Sequence, residues 1–163
     1  MDSERSGIVR VNPIPFTAAY AWSVGIPMEK FIKALADKKL LASKCPACGY
    51  TYTPPRNRCG KCNAVIGDKD LVELSGKGTL LSYTAAQVQL DGAGNFKDLE
   101  KPELIGAVKL EGADSTVFML LDKAEAKDLK PGLKVEVEWS EATKGALSDL
   151  KGFKVEKAKK KSA

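Results

Sequence analysis

Histidine is absent from this 163-residue chain. The side chain whose unperturbed pKa lies nearest neutrality is therefore missing, and any proton transfer would need another base. No apolar run approaches the roughly 18 residues that a membrane-spanning helix requires. The first 25 residues also lack a basic start followed by an apolar stretch. These absences set the expectation of a soluble, cytoplasmic protein with no membrane attachment. Internal repeats are missing as well. Excess charge is scarcer than the formal +5 implies, because Lys157, Lys159, Lys160 and Lys161 supply four of those charges and residues 157–163 contain no acid. A nearly neutral body gives no positive reason to expect a phosphate-tracking groove. We read 157–163 as a basic, disordered tail.

With 44% hydrophobic and 29% charged residues, the rest reads as an ordinary globular chain, long enough for a small metal-stapled module joined to one compact core. Residues 1–38 form an N-terminal arm and an amphipathic helix. The arm carries Ile14, Phe16, Tyr20 and Trp22 without a sustained period. In the helix, Pro27 suits a first turn, and Met28, Phe31, Ile32 and Leu35 follow at i, i+3, i+4 and i+7, with an end near Lys38. Residues 39–68 hold all four cysteines. From residue 69 to 156 the pattern is one of short strands: Leu71–Leu90 with a break at Gly76 and Gly78, Leu104–Leu110, Thr116–Leu121, Leu133–Trp139 and Gly152–Glu156. Ala124–Asp128 predicts a helical turn between the third and fourth of these. Asp91–Pro102 reads as a mobile loop, and Phe118 and Trp139, which sit in apolar alternations, read as core. The fold class is mainly β with an N-terminal helix, and its five strands suggest the small oligonucleotide/oligosaccharide-binding (OB) barrel.

The cysteines fall in two pairs, Cys45-Pro-Ala-Cys48-Gly and Cys59-Gly-Lys-Cys62, with ten residues between Cys48 and Cys59. Each two-residue spacer folds back as a knuckle that aims two sulfurs at one point, and a glycine after a ligand permits the tight turn. Two knuckles complete a tetrahedron with metal–sulfur distances of about 2.3 Å and no position left for water. Such a site is structural. We expect one zinc ion held by Cys45, Cys48, Cys59 and Cys62, with iron of the rubredoxin kind, which four thiolates also suit, as the less favoured alternative. Disulfides fit an intracellular chain poorly. A redox pair would need one such motif on a strand-to-helix turn. If all four thiols are ligands, no cysteine is left as a nucleophile and no histidine is present to activate a serine.

The run Lys38-Lys39-Leu40-Leu41-Ala42-Ser43-Lys44 leading into Cys45, then Tyr52, Pro54-Pro55-Arg56 and the second cysteine pair, resembles a known family. So does Leu74-Ser75-Gly76-Lys77-Gly78-Thr79-Leu80-Leu81-Ser82-Tyr83-Thr84. The family is the zinc-ribbon/OB-fold acyl-CoA-associated proteins, long catalogued as a domain of unknown function, and the likeness runs from about Phe31 to Val155. It implies a rubredoxin-like zinc ribbon followed by a five-stranded OB-fold barrel. It also implies a non-catalytic subunit that assists acyl-CoA binding and assembly beside a thiolase-fold catalytic subunit. The family's members accompany archaeal thiolase and hydroxymethylglutaryl-CoA synthase assemblies, steroid side-chain aldolases and benzoylsuccinyl-CoA thiolase, the last being the specific expectation carried here. The chain departs from the family pattern after Pro102, where Glu103 and Leu104 stand in place of a frequent aromatic, and its 91–102 segment is glycine-rich.

Two sets of candidate contacts follow. Arg56, Arg58 and Lys61 lie between or beside the knuckles, where planar guanidinium groups are suited to CoA phosphates. Ile14, Phe16, Tyr20 and Trp22 are candidate partner anchors. The alternative function is a single-stranded nucleic-acid-binding zinc-ribbon/OB protein, because both modules recur in that class. Against it stands a barrel region with few aromatics, namely Tyr83, Phe96, Phe118, Trp139 and Phe153.

Overall fold

Pro27 stands in the first turn of α1 (Ile26–Leu35), where its missing N–H is harmless. Glu29 and Lys33 pair one turn apart at 2.6 Å on the exposed side, and Phe31 and Leu35 are buried on the other. The helix stops three residues short of Lys38, which takes a left-handed conformation (φ 57°). Lys39 then returns its N–H to the Ala34 carbonyl, a reversal that turns the chain into β1. The computed structural model describes residues 23–91, 94–122 and 124–156. Among them no helix is long and apolar enough to cross a membrane. The arm residues Ile14, Phe16, Tyr20 and Trp22, and the basic tail, lie outside the described residues.

Two sheets follow. The first has the order β2-β1-β3, built from β1 (Leu40–Lys44), β2 (Thr51–Tyr52) and β3 (Leu71–Leu74), all antiparallel. The Leu71–Leu90 segment thus divides at its glycine break, its first piece completing the sheet that carries the cysteines. Its second piece, β4 (Lys77–Leu90), opens a closed barrel with β5 (Phe96–Leu110), β6 (Thr116–Asp122), β7 (Lys134–Trp139) and β8 (Leu150–Val155), in the order β4-β5-β6-β8-β7. The expected turn between β6 and β7 is a 3₁₀ turn at Ala126–Asp128. Closure depends on one parallel pairing, β6 with β8, in which Leu121 and Asp122 face Phe153 and Lys154, while the other strand pairs are antiparallel.

Leu80, Val108, Leu121, Val135 and Phe153 fill the barrel and are continuous with Phe31, Leu35, Leu40, Ala42 and Leu74. Helix, first sheet and barrel therefore share one hydrophobic core. A polar seam reinforces it. Thr51 donates its N–H to Asp114 Oδ2 at 2.9 Å and accepts the Asp114 N–H at its carbonyl at 2.9 Å. Thr53 and Ser115 exchange hydrogen bonds of 2.9 and 3.1 Å beside them.

Two expectations are corrected. Asp91–Pro102 is not a loop throughout. Strand β5 begins at Phe96, which pairs with Leu90, and between them Asp91 Oδ1 accepts the Asn95 N–H at 2.8 Å. The lysines and acids of 96–102 hide the strand because both faces are exposed, so no apolar alternation is needed to satisfy the backbone ladder. Phe118 is not core either. It stands 71% exposed on the outer face of β6, whereas Trp139 is partly buried against the core as expected.

Gly152 (φ 148°) allows β8 to approach β6, and a Cβ there would lie 2.3 Å from the Leu120 carbonyl oxygen. Gly152→Ala should therefore destabilise the protein by at least the ~1–3 kcal/mol typical of overpacking, as measured by denaturant titration. Buried Asp149 accepts three backbone N–H groups on Oδ2, from Lys144, Gly145 and Ala146 at 2.8 to 3.1 Å. The Ala146 N–H, opposed by burial and helped by Lys144 and Gly145, holds its pKa below the usual value. Its stabilisation is complete above the unfolded aspartate pKa of about 4 and is lost as pH falls through the depressed folded value. Asp149→Asn should lower the denaturation midpoint at neutral pH and flatten its decline below about pH 4.

Candidate metal centre

Each knuckle closes on its own backbone before any metal is considered. Gly49 returns its N–H to Cys45 O at 2.9 Å and Cys45 donates to Tyr50 O at 2.8 Å. In the second knuckle Asn63 returns to Cys59 O at 2.9 Å and Cys59 donates to Ala64 O at 3.0 Å. Positive φ at Gly49 (75°) and Asn63 (58°) ends both turns in the same way, with asparagine doing in the second what glycine does in the first.

These turns bring all four sulfurs within 4.8 Å of one another. Cys45 faces Cys62 at 3.5 Å and Cys48 faces Cys59 at 3.5 Å. A tetrahedral ion with metal–sulfur bonds of about 2.3 Å requires edges of roughly 3.8 Å, so the four cysteines fit such an ion with little adjustment. Cys45 and Cys59 are buried, and Cys48 and Cys62 face outward. When bound, the ion would be held by these four thiolates and would join the two knuckles, supplying structure with no open coordination position.

The thiols do not share charge evenly. The Tyr52 hydroxyl, with help from the Cys62 and Lys61 N–H groups, outweighs burial and draws Cys59 down to about 6. At Cys62 the Ala64 N–H acts downward, but the neighbouring Cys45 and Cys59 sulfurs and burial prevail and push it up to about 12. One thiol is thus primed to ionise while another resists, the pattern expected when like charges crowd one point.

Arg56 stacks its guanidinium over the Tyr52 ring, 5.2 Å from the centroid, and its backbone N–H binds Ser43 Oγ at 2.9 Å. Arg58 donates to Asn63 O at 3.1 Å. Lys61 is exposed, and its backbone N–H reaches Cys59 Sγ at 3.4 Å. All three cations stand on the same metal-fixed module. The sequence did not single out Tyr52 for chemistry, although its hydroxyl lies 3.4 Å from Cys59 Sγ. Nor did it single out Asp114, whose seam to Thr51 crosses 63 positions.

The barrel has its own concavity, a groove of about 940 Å³ whose rim carries Asp122, Glu125, Asp128, Glu136 and Glu156 against Lys154. A field of that sign repels polyanions.

Full-length protein should bind one metal ion per chain, measured by elemental analysis. Chelation should free four titratable thiols, and Cys59→Ser should abolish stoichiometric binding while leaving the barrel's strand signal in circular dichroism.

Comparison with known proteins agrees with this architecture. Residues 33–64 match the model of the ChsH2 rubredoxin-like zinc ribbon domain, and residues 71–140 match that of the ChsH2 C-terminal OB-fold domain. A "DUF35 domain-containing scaffold protein" from Methanocaldococcus jannaschii is 30% identical over 99 residues, 60% of this chain and 64% of that protein. The chain thus aligns with somewhat less than two thirds of that relative's length. Among solved structures, the "Ltp2-ChsH2(DUF35) aldolase" superposes with a TM-score of 0.58 at 21% identity, covering 83% of this chain and 97% of that one. A DUF35-family protein of unknown function from Sulfolobus solfataricus gives 0.58 at 24% identity, covering 81% and 87%. These likenesses establish the fold. With both domain models matched in the same order over more than half of its length, the chain belongs to the ChsH2-type zinc-ribbon/OB-fold (DUF35) family.

Proposed function

We propose that this chain is a non-catalytic accessory subunit of a thiolase-type acyl-CoA enzyme, holding one structural zinc ion and docking a thiolase-fold partner that supplies the catalytic residues. Benzoylsuccinyl-CoA thiolase is the specific enzyme we put forward, and the cytoplasm, where thiols stay reduced, is the compartment. The observation that carries the reading is uncovered apolar surface on β4–β6. Phe118 and Leu120 stand exposed on β6, where the register sets them beside Ala107 and Ile105 of β5, Leu81 is exposed on β4, and Val88, Leu90 and Phe96 are exposed toward the end of the β4–β5 hairpin. Exposed apolar surface of this extent marks contact sites. The Methanocaldococcus scaffold protein and the Ltp2-ChsH2 aldolase, to which this chain is similar, support the same reading. We add the arm anchors Ile14, Phe16, Tyr20 and Trp22 to the docking surface.

Acyl-CoA is assigned to the ribbon side. Arg56, Arg58 and Lys61 offer cations there, whereas the carboxylate-rimmed groove of the barrel opposes a polyanion. Division of the chain at 1–38, 39–68, 69–156 and 157–163 into arm and helix, ribbon, barrel and tail follows from the same reading.

Phe118 also favours a second reading. An exposed aromatic on the outer face of an OB barrel is a stacking platform, which suits single-stranded nucleic acid.

Natively expressed protein should co-purify with a larger thiolase-fold subunit. Phe118→Asp should dissociate that assembly while leaving metal content unchanged, and removal of residues 1–24 should weaken it. Arg56→Ala should weaken CoA-ester binding to the complex about tenfold, the effect of losing one charge-assisted contact of roughly 1.4 kcal/mol. A monomer that shifts a labelled oligonucleotide, with the shift lost in Phe118→Asp, would favour the second reading.

A further inference from the structure

Tyr52 is the one described side chain, apart from the cysteines themselves, that hydrogen-bonds a ligand sulfur. It reaches the centre from β2, outside both knuckles. Its ring is 7% exposed and lies against Tyr50, with centroids 4.7 Å apart. Its Oη accepts the Gly60 N–H at 3.0 Å and stands 3.4 Å from Cys59 Sγ. A Cβ on Gly60 would sit 3.4 Å from the same oxygen, so the small residue after the ligand leaves room for the hydroxyl.

A phenolic hydroxyl has one proton and two lone pairs. The Gly60 N–H occupies the acceptor side, and a metal-bound thiolate has no proton to give. The tyrosine proton is therefore directed at the sulfur. We propose that Tyr52 is a positioning residue of the metal centre, donating its hydroxyl proton to the Cys59 thiolate and holding that sulfur on the ion.

The need for such a donor follows from charge. Four thiolates around a divalent ion leave a net charge of −2 on a half-buried site, and each hydrogen bond to sulfur disperses part of it. Cys59, one of the two buried ligands, also receives the Lys61 N–H at 3.4 Å. The tyrosine adds a donor from a separate element and so ties the second knuckle to the β1–β2 sheet. The Arg56 guanidinium over the ring face, 5.2 Å from the centroid, withdraws electron density from the phenol and strengthens it as a donor. Groups that hydrogen-bond metal ligands typically change metal affinity by about 10–100-fold when removed.

The inference rests on the four-cysteine centre binding a metal, and three measurements on the full chain separate the two claims. Zinc content of the wild type comes first; a wild type without metal overturns both. Competition against a chromophoric chelator should then show zinc bound about 10–100-fold more weakly in Tyr52→Phe. In Tyr50→Phe, which removes a neighbouring hydroxyl bonded to the Asp114 carbonyl, affinity should be unchanged. In the cobalt-substituted proteins the sulfur-to-metal charge-transfer band should move to lower energy in Tyr52→Phe alone. Wild-type affinity and an unshifted band in a folded Tyr52→Phe overturn the proposal. A purely packing role would leave the band in place. Should Tyr52→Phe fail to fold, the wild type loaded with cadmium-113 decides: scalar coupling between the metal and the Tyr52 hydroxyl proton supports the assignment, and its absence overturns it.

Discussion

The convergence of four sulfurs is the constraint on which the rest of this module depends. Residues 45–66 contain one two-residue strand, β2, and a single isolated bridge between Arg58 and Val65. The buried apolar cluster beneath them is confined to Cys45, Tyr52, Cys59 and Ile66. So small a core contributes little hydrophobic stabilisation, and the ordering entropy of some twenty residues must be offset by metal–thiolate bonds. Once the knuckles are fixed, everything mounted on them is fixed as well, including the Arg56–Tyr52 stack and the cations Arg58 and Lys61.

That rigidity would be of little use if the ribbon swung freely on the barrel. Two kinds of contact prevent this. Apolar residues of α1, β1 and β3 continue directly into the barrel interior. The Thr51–Asp114 and Thr53–Ser115 exchanges join β2 to the turn between β5 and β6. A partner bound on the outer face of β4–β6 would meet a ribbon whose position is set by these bonds, so any ligand held by Arg56 would be presented at a fixed place.

Sequence alone disclosed the parts of the molecule whose signals are local. Cys45, Cys48, Cys59 and Cys62 announce their geometry through two-residue spacers, and Met28, Phe31, Ile32 and Leu35 announce theirs through helical period. The barrel was legible at Thr116–Leu121 and Leu133–Trp139, where sheet alternation is regular. It failed at 96–102, because a strand exposed on both faces carries no apolar period, and at Phe118, because alternation shows that two faces differ without showing which one a closed barrel encloses. Asp114 and Tyr52 were silent for a different reason. Their importance lies in partners that only folding brings near, 63 and 7 positions away, and neither spacing has a recognisable pattern.

The β4–β5 hairpin carries a consequence of its own. Among the described residues, β4 meets β7 only at 77–79 and β5 meets β6 only at 105–109, yet the two strands stay paired with each other out to Leu90 and Phe96. The outer stretch is a two-stranded ribbon whose margins meet no further strand among the described residues, with apolar side chains at its end. Such margins template strand addition by any extended chain that reaches them. The lysines and acids spaced along 97–103 place charge on those margins, an arrangement that opposes edge-to-edge pairing between copies and leaves the hairpin open to a strand of complementary charge.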